Sequence, residues 1–125
     1  MREFVFTEVM WQLILATRWT ILLGVIAFAG GGIVGMFFTL MRISSFSPIL
    51  WFSKFYIGFF QGTPLLMQLF IIFFGLPLLV GKDVSSWTAA SIALIAFSSA
   101  YLAEIWRGCV QAIPKEQWEA GTSLG

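Results

Sequence analysis

Charged residues fall at wide intervals along this chain, and the stretches between them are apolar. Between Arg18 and Arg42 lie 23 uncharged residues, Trp19 to Met41. As a helix they extend ~34 Å, enough to cross a hydrocarbon core of about 30 Å. A second uncharged stretch runs from Phe55 to Gly81, and a third of 20 residues from Val84 to Ala103. The pattern predicts an all-α integral membrane protein with spans at about 19–41, 55–80 and 84–103. The 18 residues before the first span read as an N-terminal tail.

The second stretch is broken by Gln61-Gly62-Thr63-Pro64 and again by Pro77. Two readings stay open: one span over 55–80, or a shorter one from Pro64, where a proline suits a first helical turn, with Trp51 to Phe60 along the interface. Gln61, Thr63 and Gln68 are the polar side chains of this segment, and a polar group facing lipid without a partner costs several kcal/mol. They are expected to face protein or water, either lining a substrate path or bonding helix to helix.

Small residues mark the packing faces. Ala27, Gly31 and Gly35 recur at four-residue steps in the first span, with Gly24, Gly30 and Gly32 beside them. Ala89, Ala93, Ala96, Ala100 and Ala103 form one narrow stripe on the third. Such ridges let membrane helices approach closely. Glu104 and Arg107 sit three residues apart as the third span ends, placed to form an ion pair at the membrane exit. Beyond them 113–125 reads as a short helix outside the membrane. Pro114 and Glu116 stand at its start, Ala120, Gly121 and Gly125 keep it thin, and Trp118 and Leu124 offer apolar contact.

Composition removes the alternatives. Hydrophobic residues make up 59% of the chain and charged ones 10%, against about 25% charged in a soluble domain. The formal charge is +1 with no basic run, so nothing attracts nucleic acid. One cysteine, Cys109, and no histidine leave no disulfide, no metal site and no cofactor to expect. No carboxylate pair or activated nucleophile appears, so the chain is not expected to be an enzyme. Ala27-Phe28-Ala29 has the spacing of a signal-peptide cleavage site, but Glu3, Glu8 and the apolar run beyond it favour retention of the first helix. The loop between Arg42 and Lys54 holds no acidic residue and is placed in the cytoplasm, together with the C-terminal tail.

The segments Gln61-Gly62-Thr63-Pro64-Leu65-Leu66-Met67-Gln68 and Tyr101-Leu102-Ala103-Glu104-Ile105-Trp106-Arg107-Gly108, followed by Ile113-Pro114-Lys115-Glu116-Gln117-Trp118-Glu119-Ala120-Gly121, resemble the signature of polar amino acid ABC transporter permeases. The last resembles the EAA loop of that family. The resemblance implies the front part of a type I ABC importer permease, residues 19–125 forming a partial transmembrane domain in a bacterial inner membrane. It further implies as partners an ABC ATPase subunit, a second permease subunit, an extracytoplasmic substrate-binding protein and a polar amino acid substrate. ATP would then be hydrolysed on the partner. Trp118, Glu119, Ala120, Gly121 and Gly125 would belong to a coupling helix docking on the ATPase. The chain departs from the pattern at Gln61, where Arg is common, at Cys109 and Glu116, where Gly is usual, and at Gly121, where Ala is usual. It stops at the EAA glycine, as a fragment would. A small membrane scaffold with no transport activity is the competing expectation; it would tolerate Glu119→Lys or Gly125→Trp.

Overall fold

The computed structural model describes residues 5–125. Five helices follow one another: α1 (Phe6–Arg42), α2 (Ser47–Gly62), α3 (Leu65–Val80), α4 (Ser86–Gln111) and α5 (Lys115–Ser123). α1 and α4 are each long and apolar enough to cross a membrane. α2 and α3 qualify only as a pair, bent by 107° at their junction, and make a third span if the bent pair counts as one.

The helices outrun the apolar stretches. The expected tail over 1–18 is helical from Phe6 onward, while residues 1–4 lie outside the described part. No glycine or proline interrupts the sequence from Phe6 to Leu23, so the backbone ladder continues past Arg18, and Glu8 in the first turn complements the positive helix end. α4 likewise continues eight residues beyond Ala103, to Gln111. Charge does not break the backbone ladder: α1 runs through Arg18 and α4 through Glu104 and Arg107.

The second apolar stretch is two helices. α2 begins at Ser47, earlier than the expected boundary, with Pro48 in its first turn. Thr63 is extended at φ −107°, ψ 141° because the following proline crowds the helical region. Pro64 stands just before the first residue of α3 as its N-cap. Pro77 lies inside α3, one turn from an end closed by Gly81 in the left-handed region (φ 71°), whose N–H donates to Pro77 O at 2.8 Å. α4 opens on Ser85, whose Oγ accepts from the Thr88 N–H at 3.2 Å.

α1 and α4 pack side by side in the same direction. The contacts run in step: Trp19 meets Trp87 with ring centroids 5.3 Å apart, Gly31 meets Ser98, Gly35 meets Ser99, and Thr39 Oγ1 reaches Ala103 O at 3.4 Å. A Cβ built on Gly31 would lie 2.7 Å from Ser98 Cβ, and one on Gly35 would lie 3.0 Å from Ser99 O. Ala27, Ala89, Ala93, Ala100 and Ala103 are buried along this seam, with Ala96 half-buried. Gly24, by contrast, has nothing within 4 Å. α2 closes one end of the seam. Phe38, Ile57 and Ala103 form a buried cluster there, and the Phe38 and Tyr56 rings stack with centroids 3.8 Å apart.

Candidate functional site

Where α1 ends against α4, about two turns before α4 itself ends, their charged residues meet. Arg107 grips the Glu104 carboxylate from one turn away: Nη2 lies 2.8 Å from Oε2, while Nε donates to Oε1 at 3.1 Å and Oε2 at 3.2 Å. Its remaining Nη1 donates to Gln111 Oε1 at 2.7 Å. Arg42, at the end of α1, approaches the same carboxylate with Nε 3.5 Å from Oε1. These side chains are half-buried, where a guanidinium–carboxylate pair is better placed than at an open surface. Sequence reasoning named Glu104 and Arg107 but not Arg42. The signal existed, since parallel packing of α1 and α4 brings together the charges that close both apolar runs.

A cleft of about 200 Å³ opens beside this cluster, lined by Arg42, Lys54, Ile57, Gly58, Gln61 and Glu104. Lys54, Ile57, Gly58 and Gln61 recur at helical spacing on one face of α2. Gln61 also directs Nε2 toward Ala100 O at 3.5 Å.

Thr63 and Gln68 occupy a different place, the inside of the α2–α3 bend. Gln68 is buried, and its Nε2 lies 2.9 Å from Phe60 O, 3.0 Å from Thr63 O and 2.7 Å from Thr63 Oγ1. Thr63 Oγ1 donates its own hydrogen to Phe59 O at 2.8 Å, so it can only accept from Gln68, which fixes the amide's orientation. The amide thus satisfies carbonyls that the end of α2 leaves without helical partners. Gln68 Oε1 is buried with no partner. Of the three polar residues, Gln61 faces the cleft, while Thr63 and Gln68 hold the bend.

A second polar contact ties α2 to α4. Ser99 Oγ donates to Ala96 O at 2.7 Å, leaving Tyr56 as the donor across the 2.8 Å bond between the two hydroxyls. Residues 43 positions apart in sequence carried no local signal of this pairing.

α5 stands apart from the bundle with no buried residue. Trp118, Gly121 and Gly125 line a hollow of about 510 Å³ with Ile113, Gln117 and Thr122. Glu119 and Ala120 do not line it. Glu119 pairs loosely with Lys115 at 3.7 Å on the exposed surface. Cys109 is exposed, and no three His, Cys, Asp or Glu side chains converge among the described residues.

No protein-family model matches the chain. The fold is similar over its whole length to a solved chain described as the crystal structure of an amino acid ABC transporter with histidines, with a TM-score of 0.83 and 36% identity, covering 59% of that chain. In sequence it is 45% identical over 95 residues to the arginine transport system permease protein ArtQ of Bacillus subtilis, covering 76% of this chain and 43% of ArtQ. The chain belongs with the amino-acid ABC transporter permeases. Another member of that group, the probable amino-acid ABC transporter permease protein YckA of B. subtilis, is 40% identical over 107 residues, covering 86% of this chain and 47% of YckA. The L-cystine transport system permease protein TcyB of the same organism is 34% identical over 128 residues, covering 95% of this chain and 54% of TcyB. These permeases are, by name, transport components rather than enzymes. The chain spans about half the length of the curated relatives it matches.

Proposed function

We propose that this chain forms the membrane-spanning, ATPase-coupling part of a permease subunit in an ATP-driven importer of polar amino acids in a bacterial inner membrane. Its partners would be an ABC ATPase, a second permease subunit and an extracytoplasmic substrate-binding protein. The observation that carries the reading is α5. It is a short amphipathic helix held outside the bundle, wholly exposed, with Trp118 beside the side-chain-free surfaces of Gly121 and Gly125. A scaffold reading accounts for the seam between α1 and α4 but gives this helix no task.

Only Ala112, Ile113 and Pro114 separate α4 from α5. Displacement of α5 by a closing ATPase would therefore pass into α4, and through Glu104 and Arg42 into α1. Gln61 in the cleft is the side chain best placed to meet a polar solute, with Thr63 and Gln68 keeping the bend in shape. Transport needs a substrate that binds the alternating states with different affinity, and that requires the assembled importer.

The test is capture of amino acid importer ATPase subunits from detergent extracts by the native chain and by Glu119→Lys. Capture that the substitution abolishes supports a docking role for α5. Equal capture by both would remove Glu119 from the interface, and capture by neither would count against the coupling role altogether.

A further inference from the structure

The cleft between α1, α2 and α4 holds more positive charge than it uses. Arg42 and Arg107 both reach one carboxylate, Glu104, which Arg107 grips with two nitrogens, and Lys54 lines the cleft beside them. Lys54 lines the same cleft, is exposed, and makes no ion pair among the described residues. Its ammonium instead lies 5.3 Å from the centroid of the Trp51 ring.

The surroundings of Lys54 say what kind of anion would reach it. α2 exposes Trp51 by 66%, Phe52 by 57% and Phe55 by 72%, and Phe55 stacks on Phe59 to extend the aromatic strip along the helix. Trp beside Lys at the end of an apolar run is the chemistry of the headgroup level, where amphipathic rings and cations both find partners. The apolar runs end at the same place, since Arg42 closes that of α1 and Glu104 and Arg107 follow that of α4. An anion arriving there with hydrocarbon attached would satisfy the cations and cover the rings together.

We propose that the cleft lined by Arg42, Lys54 and Gln61 binds the phosphate of an anionic phospholipid, whose acyl chains lie along the Phe55–Phe59 strip of α2. The Arg42 guanidinium and the Lys54 ammonium hold the phosphate, and Gln61 donates to a headgroup oxygen. Glu104 does not repel it, because its charge is taken up by the two arginines. The site shares Gln61 with the solute path proposed above, and Lys54, which that reading does not use, distinguishes the two.

The experiment is native mass spectrometry of the chain in its complete membrane assembly, reconstituted in discs of equal parts phosphatidylglycerol and phosphatidylcholine. The native assembly is expected to retain phosphatidylglycerol selectively. Lys54→Gln, at an exposed position that does not threaten folding, is expected to weaken that retention about fivefold, as loss of one cation at an anionic surface does. Lys54→Arg is expected to preserve it. Equal retention of the two lipids by the native assembly, or unchanged selectivity in Lys54→Gln, overturns the proposal. So does displacement of the bound lipid by inorganic phosphate or by free amino acids, which would make the site one for a soluble anion.

Discussion

The seam between α1 and α4 and the bend between α2 and α3 solve opposite problems. At the seam two helices must come close, and the chain achieves this by removing side chains: Gly31 and Gly35 face Ser98 and Ser99 almost backbone to backbone. At the bend the helix must stop inside an apolar stretch, and the chain adds a polar side chain, Gln68, to bond the carbonyls the break exposes. In lipid neither device gains from expelling water. The seam is held by packing and the bend by hydrogen bonding. Substitutions should therefore act by volume in one region and by polarity in the other.

The largest effect is expected at the seam. Gly31→Leu places atoms where Ser98 Cβ and the Ser99 N–H already stand, 2.7 and 3.2 Å from the new Cβ. A backbone neighbour cannot rotate away, so the loss is expected to reach about 3 kcal/mol. It would appear in a reversible detergent–urea unfolding titration followed by Trp fluorescence. Gly24→Leu is the matched control, with nothing within 4 Å, and is expected to leave the midpoint unchanged or slightly raised. If both variants unfold alike, the seam is not held by close approach.

At the bend, size should matter little and polarity much. Gln68→Leu nearly conserves volume but leaves Phe60 O and Thr63 O without their donor, a loss of about 2 kcal/mol in the same titration. A Gln68→Leu variant as stable as the native chain would mean that the bend is held by Pro64 and the surrounding rings alone.

The contrast also separates what the sequence discloses from what it hides. Ala27, Gly31, Gly35 and the alanine stripe were visible as ridges because helical spacing is a local property. Gly24 belongs to the same glycine-rich run, yet only the position of α4 decides that Gly31 is crowded and Gly24 is free. The break at Thr63-Pro64 was visible from proline chemistry, but the partner of Gln68 was not, because a glutamine pattern does not say whether its amide will turn to another helix, to water or back to its own chain. Arg42 was countable as a loop charge. Its pairing with Glu104 follows only once α1 and α4 are laid side by side. The apolar runs mark candidate spans and not helix ends: α1 begins at Phe6 within the expected tail, and α4 carries Glu104 and Arg107 on to Gln111, because charge does not break backbone hydrogen bonds.

Tyr56→Phe tests whether polarity contributes at the seam's closed end as it does at the bend. The substitution removes the donor to Ser99 but keeps the ring stacked on Phe38. Ser99 retains its bond to Ala96 O, so no buried donor is stranded. The expected loss is about 0.6 kcal/mol, typical of a hydrogen bond between membrane helices. A loss as large as that of Gln68→Leu would mean that the Tyr56–Ser99 bond, rather than the ring stack, positions α2.

The smallest effect belongs to α5, which takes part in neither device. Lys115 and Glu119 form an exposed pair at 3.7 Å with side chains 87% and 65% accessible, and solvent screening leaves such a pair little stabilising value. Lys115→Ala should therefore shift the thermal unfolding midpoint of the chain by less than about 2 °C. The same variant sharpens the reading of α5 as a docking element, because it frees the Glu119 carboxylate from its neighbour without removing it. If ATPase capture depends on that carboxylate, Lys115→Ala should preserve or strengthen capture while Glu119→Lys abolishes it. Equal loss in both would mean that capture follows the folding of the short helix, where Lys115 is the first residue, rather than any contact made by Glu119.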